Sequence, residues 1–110
     1  MERHPNSAPL LQVVAPELVA ELTEFLTAAG EFVLAERVKH LAIFDRCRCG
    51  DSFCSSFYTI RNRTTPHPKG FRTVALRLGG LHLDVLDSTV LYVEVLNRDD
   101  LKAKIHAAVP

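Results

Sequence analysis

The chain has 110 residues, 47% of them apolar, and its 13 basic and 13 acidic side chains give a formal net charge of zero at pH 7. These values are those of a globular protein, and we interpret residues 1–110 as a single domain. The neutral charge argues against a nucleic-acid-binding domain, which is usually basic, and no run of about 18 apolar residues is present to form a transmembrane helix.

The first predicted elements are a tail and two helices. Residues 1–9 are polar and contain prolines, which predicts a loose N-terminal tail. After Pro16, apolar residues recur at helical spacing, and Gly30 is a typical C-terminal cap, so a helix of roughly three to four turns is expected. A second helix is predicted at about residues 31–40, joined to the first either as a hairpin or as one kinked helix. The recurring apolar positions are Leu18, Leu22, Phe25, Leu26 and Ala29.

From residue 41 the apolar residues follow a period of 2 instead of 3.6, which predicts strands separated by glycine-containing and polar turns. A loop with two prolines is expected from residue 61 to residue 70. Asn97 is a reasonable N-cap for a short C-terminal helix. The predicted strands cover residues 41–47, 53–60, 71–78, 81–86 and 90–96.

This order of elements predicts an α+β fold in which two N-terminal helices pack on an antiparallel sheet of about five strands, followed by a short C-terminal helix. Because the connections are short, we expect a meander whose strands neighbour each other in chain order. The strand at residues 90–96 is a candidate for an exposed sheet edge that pairs with a partner.

All three cysteines, Cys47, Cys49 and Cys54, lie within eight residues. On a strand, Cys47 and Cys49 point to the same face, and the turn at Gly50 would return Cys54 toward Cys49. The sequence therefore predicts a candidate metal site at these three residues.

A tetrahedral zinc site needs a fourth ligand, for which His40, His67 and His82 are the candidates. Reduced thiols that only pack are the alternative and the simpler interpretation, because cysteine is often buried as a small apolar residue. A redox pair is disfavoured, since the chain has no C-x-x-C motif.

Acidic residues form a stripe on the first predicted helix. Glu17, Glu21 and Glu24 fall at positions i, i+4 and i+7, and Asp45 and Asp51 add negative charge nearby in sequence. Carboxylates aligned in this way can bind a basic partner and speed its association. The alternative is an ordinary solvated helix face.

No motif with a known catalytic mechanism is present, neither a G-x-S-x-G nucleophile elbow nor a phosphate-binding glycine loop. We therefore expect a protein that is not an enzyme. The basic segment at residues 61–77 is better explained as a solvated loop than as a nucleic-acid surface. Three cysteines, an odd number, and the short apolar stretch near the N-terminus favour the cytoplasm over secretion.

Residues 46–59, with the pattern C-x-C-G-D-x-x-C, resemble a segment of small uncharacterised bacterial proteins. Those proteins also tend to end in a hairpin and a stretch that is matched here by residues 93–98, VEVLNR. In size and in its helices-then-sheet order, the chain is similar to immunity proteins of bacterial contact-dependent growth inhibition systems. Such proteins bind and block the C-terminal toxin domain of a large secreted effector.

This resemblance implies a non-enzymatic cytoplasmic protein whose partner is a cognate toxin domain. The acidic stripe would then face basic groups of the toxin, and the sheet or its loops would supply an apolar anchor. The alternative function is a small zinc-binding or thiol-bearing domain that uses the three cysteines.

Overall fold

The computed structural model describes residues 8–61, 69–77 and 80–110. Residues 1–7 of the predicted tail and residues 62–68 of the predicted loop with His67 lie outside the described residues. So do residues 78 and 79, the end of the third predicted strand and the start of the turn after it. In chain order the elements are α1 (Leu11–Val14), α2 (Pro16–Ala28), α3 (Phe32–Arg37), a 3₁₀ turn (Val38–His40), β1 (Asp45–Arg46), β2 (Phe57–Tyr58), β3 (Phe71–Arg77), β4 (Leu81–Leu86), β5 (Thr89–Val95) and α4 (Asp99–Ala108).

The main helix forms where the apolar spacing predicts it. Leu18, Leu22 and Leu26 are four positions apart on one face of α2 and are fully buried. The helix ends before Gly30, whose φ of +77° is a conformation that glycine adopts without strain. α3 is therefore a separate helix packed against α2, as in the hairpin alternative, and not its kinked continuation.

The short helix α1 is not predicted by the sequence pattern. Its residue Leu11 is fully buried, and the Leu11 N–H donates to the carbonyl of Leu41 at 2.9 Å. Just before it, the carbonyl of Pro9 accepts a hydrogen bond from the N–H of Ile43 at 2.8 Å. The end of the predicted tail is thus held against the segment that leads into the sheet.

The first two predicted strands are shorter than expected. β1 and β2 pair over only two residues each, and beyond them an isolated bridge joins Cys54 to Leu96. Gly50, with a φ of +84°, turns the chain between them and interrupts regular pairing. By contrast, β3, β4 and β5 agree with their predicted bounds to within one residue at each end.

The strands form one antiparallel sheet in the order β1-β2-β5-β4-β3. The predicted α+β class with a five-stranded antiparallel sheet is therefore confirmed, and β3 to β5 form a meander. The expectation that all strands neighbour each other in chain order is wrong at β2, which pairs with β5, so β5 is central and not an edge strand. This pairing places Phe57 opposite Val93 with both side chains fully buried, which removes more apolar area from water than an edge position would.

The two faces of the sheet have different surroundings. On the inner face, Phe57, Leu83 and Val93 join the buried side chains of the helices in one core. We call the opposite face the outer face. Polar side chains on neighbouring strands line up there in two rows that cross the sheet. The first row consists of Cys47, Ser56, Glu94 and His82, and the second of Asp45, Tyr58, Tyr92 and Asp84. The cysteine segment lies at one end of the first row.

The last helix begins one residue later than the predicted cap implies. Arg98 occupies the N-cap position, whereas Asn97, the predicted N-cap, has a φ of +61° and donates its N–H to the carbonyl of Phe53 at 2.8 Å. The Arg98 guanidinium also binds both carboxylate oxygens of Glu21 at 2.9 Å. Arg98 therefore links α4 to α2, while Asn97 holds the cysteine segment.

Candidate metal centre

The turn between β1 and β2 brings the three cysteine sulfurs together. Cys47 follows β1, and its N–H donates to the carbonyl of Ser56 at 2.8 Å. The positive φ of Gly50 lets the chain reverse, so that the Sγ atoms of Cys47, Cys49 and Cys54 all lie within 4.8 Å of one another. The predicted return of Cys54 toward Cys49 is confirmed. We call these three residues the cysteine centre.

Polar groups of the same segment lie beside two sulfurs of the centre. The N–H of Asp51 acts to lower the pKa of Cys49, and Ser56 acts to lower the pKa of Cys54. The Ser56 hydroxyl itself is held by Val95, since it accepts from the Val95 N–H at 2.9 Å and donates to the Val95 carbonyl at 3.4 Å. Burial disfavours the charged form of Cys54, but the hydrogen bonds from Ser56 and from the other two thiols outweigh it and hold the pKa of Cys54 below its usual value. The site thus favours a negative charge on this buried sulfur.

Without a metal, the thiols of the cysteine centre do not all ionise together. The Asp51 N–H lowers the pKa of Cys49, but the neighbouring thiols and partial burial outweigh it and raise the pKa to about 11. A bound divalent cation would cancel this repulsion between sulfurs. Ionisation of all three thiols would therefore be easier with a bound cation than without one.

Tyr92 reaches the cysteine centre from β5. Burial raises the pKa of Tyr92, and the nearby Cys47 sulfur adds to that shift. The ring packs against Tyr58 on the outer face, with 4.8 Å between ring centroids. A phenol that stays protonated is an available hydrogen-bond donor near the Cys47 sulfur.

Contacts from α4 and from Val109 just after it hold the cysteine segment at two points. Before the turn, Arg46 Nε donates to the carbonyl of Val109 at 3.0 Å. Within it, Lys102 Nζ donates to the carbonyl of Ser52 at 2.6 Å. The position of the sulfurs is thereby coupled to the docking of the last helix.

The sulfur spacing suits a tetrahedral thiolate-bound metal. With Zn–S bonds of about 2.3 Å, two sulfurs of a tetrahedral site lie about 3.8 Å apart. Sulfurs that already lie within 4.8 Å of one another need to close by about 1 Å or less. Thiolates are soft ligands that select zinc, copper(I) or iron–sulfur clusters over magnesium or calcium.

Neither described histidine that was predicted as a fourth ligand joins the cysteine centre. His82 lies on β4, three strands from Cys47, with its Nδ1 3.1 Å from Glu94 Oε2. At about 4.8 Å per strand this separation is about 14 Å, too far for a shared ion. His40 lines a different groove together with Thr89. The third candidate, His67, lies outside the described residues.

Two acidic residues of the predicted stripe are paired within the chain. Glu17 is hydrogen-bonded to Lys104 of α4, and this bond holds the pKa of Glu17 below its usual value. Glu21 forms the two-pronged pair with Arg98 described above. Both carboxylates join α2 to α4, so their charge is already compensated by the fold.

The other predicted partner-binding acids differ in their surroundings. Asp45 pairs with Arg48 at 2.9 Å in the cysteine segment. Glu24 is exposed beside an apolar groove of about 670 Å³ along α2, and Asp51 is exposed in the cysteine turn. A role for these residues in binding a partner stays a prediction.

Sequence reasoning missed Ser56 and Tyr92. The position of Ser56, two residues after Cys54, was a usable signal, because alternate residues of a strand share a face. The proximity of Tyr92 to Cys47 depends on the pairing of β2 with β5, which the sequence pattern does not reveal.

No protein-family model, curated protein or solved structure matches this chain. Within the part of the chain that the structure describes, no helix has the length and apolar character to cross a membrane.

Proposed function

We propose that the protein is a small zinc-binding domain that holds the metal through Cys47, Cys49 and Cys54. The observation that carries this proposal is the convergence of the three sulfurs within 4.8 Å of one another. Thiols that only pack need not converge on one point, whereas the ligands of a tetrahedral zinc site must.

The metal would tie the cysteine segment to the sheet. β1 and β2 supply only two ladder residues each, so the backbone pairing of this hairpin is limited. Metal bonds to sulfurs on both sides of the turn would add the missing stability, since metal binding to a folded site contributes directly to folding. The proposed role is binding, and no described residue is assigned a catalytic step.

The Tyr92→Phe variant tests whether the outer-face donor supports the metal. Losing the hydroxyl beside Cys47 is expected to weaken zinc binding by about tenfold, the lower end of the range for second-shell partners of a metal site. Competition against a chromophoric chelator measures this affinity. Tyr58→Phe is the matched control, because it removes a hydroxyl from the other ring of the same pair and should change the affinity much less. Equal affinities of Tyr92→Phe and wild type would contradict the assigned role.

A second candidate function is protein binding, as the resemblance to immunity proteins implies. Phe32 and Val33 are adjacent on α3 and are 67% and 59% exposed. They line a groove of about 390 Å³, and large exposed apolar side chains side by side are typical of interfaces. The proposed partner is a toxin domain whose apolar contact falls on these residues. Its electrostatic contact would fall on Glu24, since Glu17 and Glu21 are already paired.

Native mass spectrometry of the protein, recovered gently from its own host, separates the two candidates. The zinc proposal expects a chain that carries one zinc ion, and expects the Cys54→Ala variant to carry none. The second candidate expects a one-to-one complex with the C-terminal domain of a large secreted protein, lost when Phe32 and Val33 are changed to Ser. A wild-type chain with the mass of the polypeptide alone would contradict both.

A further inference from the structure

We infer that the metal in the cysteine centre keeps an open fourth position, which takes a thiolate from a second molecule. The inference rests on the proposed zinc-binding function and deepens it. A closed site with four protein ligands is structural, whereas a site with three protein ligands and an open position exchanges ligands. The centre would thus be a binding site for thiols, not only a structural one.

The described residues supply three ligands and no fourth. The group within reach of one metal ion consists of the three cysteines alone. The nearest carboxylate along the outer-face row is Glu94, which stands opposite Ser56 and already holds His82 Nδ1 at 3.1 Å. A fourth ligand must then come from outside the described part of the chain or from solution.

The side of the centre that faces solvent is accessible to such a ligand. Cys54 is buried and Cys47 is half-buried, but Cys49 is exposed, as are the turn residues that follow it. Phe53, just before Cys54, is 46% exposed and offers an apolar contact for the carbon chain of an incoming thiol. A small ligand can therefore approach the metal beside Cys49.

The charge around the centre favours an anionic ligand. A divalent metal with three thiolates carries one negative charge, and a fourth thiolate adds another. Arg46 and Arg48 flank Cys47 in the sequence, and Lys102 Nζ donates to the carbonyl of Ser52 in the turn. The acidic residues of the same segment are Asp45, which pairs with Arg48, and Asp51, so the basic groups exceed the acidic groups by one and the net field is weakly positive. The same field reduces the cost of a second negative charge at the metal.

The binding step is a ligand exchange without electron transfer. The bond between the metal and a coordinated water breaks, the thiol gives its proton to the buffer, and a metal–sulfur bond forms. Zinc keeps its +2 charge throughout, so no oxidant or reductant is needed.

Cobalt(II) substituted for zinc gives a visible readout of this step. On titration of the cobalt-loaded full chain with 2-mercaptoethanol, the sulfur-to-cobalt charge-transfer absorbance is expected to rise by about one third and to saturate, as three thiolates become four. An unchanged spectrum, or loss of the cobalt bands as the thiol strips the metal, would overturn the inference while leaving the three-cysteine site in place. Failure of cobalt and zinc to bind at all would instead refute the proposed function.

Leu96, the residue after β5, offers a matched pair of variants because it is the bridge partner of Cys54. Leu96→Cys places a fourth thiol beside the centre. The charge-transfer absorbance of its cobalt complex should therefore already equal that of four thiolates, and added thiol should not change it. Leu96→Ala adds space without a ligand and should respond like wild type. If added thiol leaves the wild-type spectrum unchanged but raises the charge-transfer absorbance of His67→Ala, His67 is the fourth metal ligand and the inference is wrong. Circular dichroism checks that each variant is folded.

Discussion

Chelation of zinc is expected to lower the melting temperature of the wild-type protein by about 15–30 °C. A ligand at about a thousand times its Kd stabilises the folded state by about 4 kcal/mol, and each kcal/mol shifts the melting temperature of a domain of this size by about 4–8 °C. The effect is large because the sulfurs lie on both sides of the turn, and because hydrogen bonds join the segment that carries them to β5 and to the C-terminal helix. Calorimetry in excess zinc and in excess chelator measures it.

The Cys54→Ala variant is the control for this experiment. It removes the buried sulfur, the one that Ser56 stabilises, and should melt at the same temperature with and without chelator. Its melting temperature should fall near that of the chelated wild type, lowered further by the small cavity that the lost sulfur leaves. Identical wild-type curves in zinc and in chelator would show that the centre contributes no metal-dependent stability, and the thiols would then be packing residues.

The regular elements of this fold could be predicted from the sequence, because their signal is local. Leu18, Leu22 and Leu26 repeat at helical spacing in α2, and inward residues alternate along β4 and β5. The strand order could not be predicted in this way. It depends on the pairing of Phe57 with Val93, which lie more than 30 residues apart in the sequence, and no local pattern encodes that pairing.

The cysteine centre was predictable for the same reason: its three residues and its turn lie in one short segment. The environment of the acidic stripe was not. Glu17 and Glu21 have the spacing of an exposed helix face, but Lys104 and Arg98 reach them from the other end of the chain. A charge pattern on one helix shows which side chains share a face, and only the tertiary structure shows whether another element neutralises them.

Replacement of Phe57 by Ala is expected to reduce the free energy of unfolding by about 3–5 kcal/mol, the usual cost of truncating a fully buried phenylalanine. Phe57 is 0% exposed and lies in the core between the helices and β5, one residue from Ser56. Small domains have only about 5–15 kcal/mol of stability in total, and chelation removes about 4 kcal/mol more. A domain near the lower end of this range would therefore be mostly unfolded once it carries the substitution and lacks the metal. Urea denaturation in chelator measures the loss, and Phe25→Ala, at an exposed phenylalanine, should cost about 1 kcal/mol or less.

Zinc should restore the folded signal of Phe57→Ala. Because the metal binds the folded chain, in which the sulfurs are assembled, zinc shifts the equilibrium from the unfolded to the native state. The apparent affinity for zinc is the affinity of the folded chain multiplied by the fraction of chains that are folded without metal. Phe57→Leu, which keeps most of the buried volume, should need far less zinc for the same folded fraction. If excess zinc leaves Phe57→Ala unfolded while the unfolded variant binds the metal as tightly as the wild type does, assembly of the cysteine centre does not depend on the packing of β2 against β5. The hairpin would then bind zinc as a local unit, independently of the core beneath it.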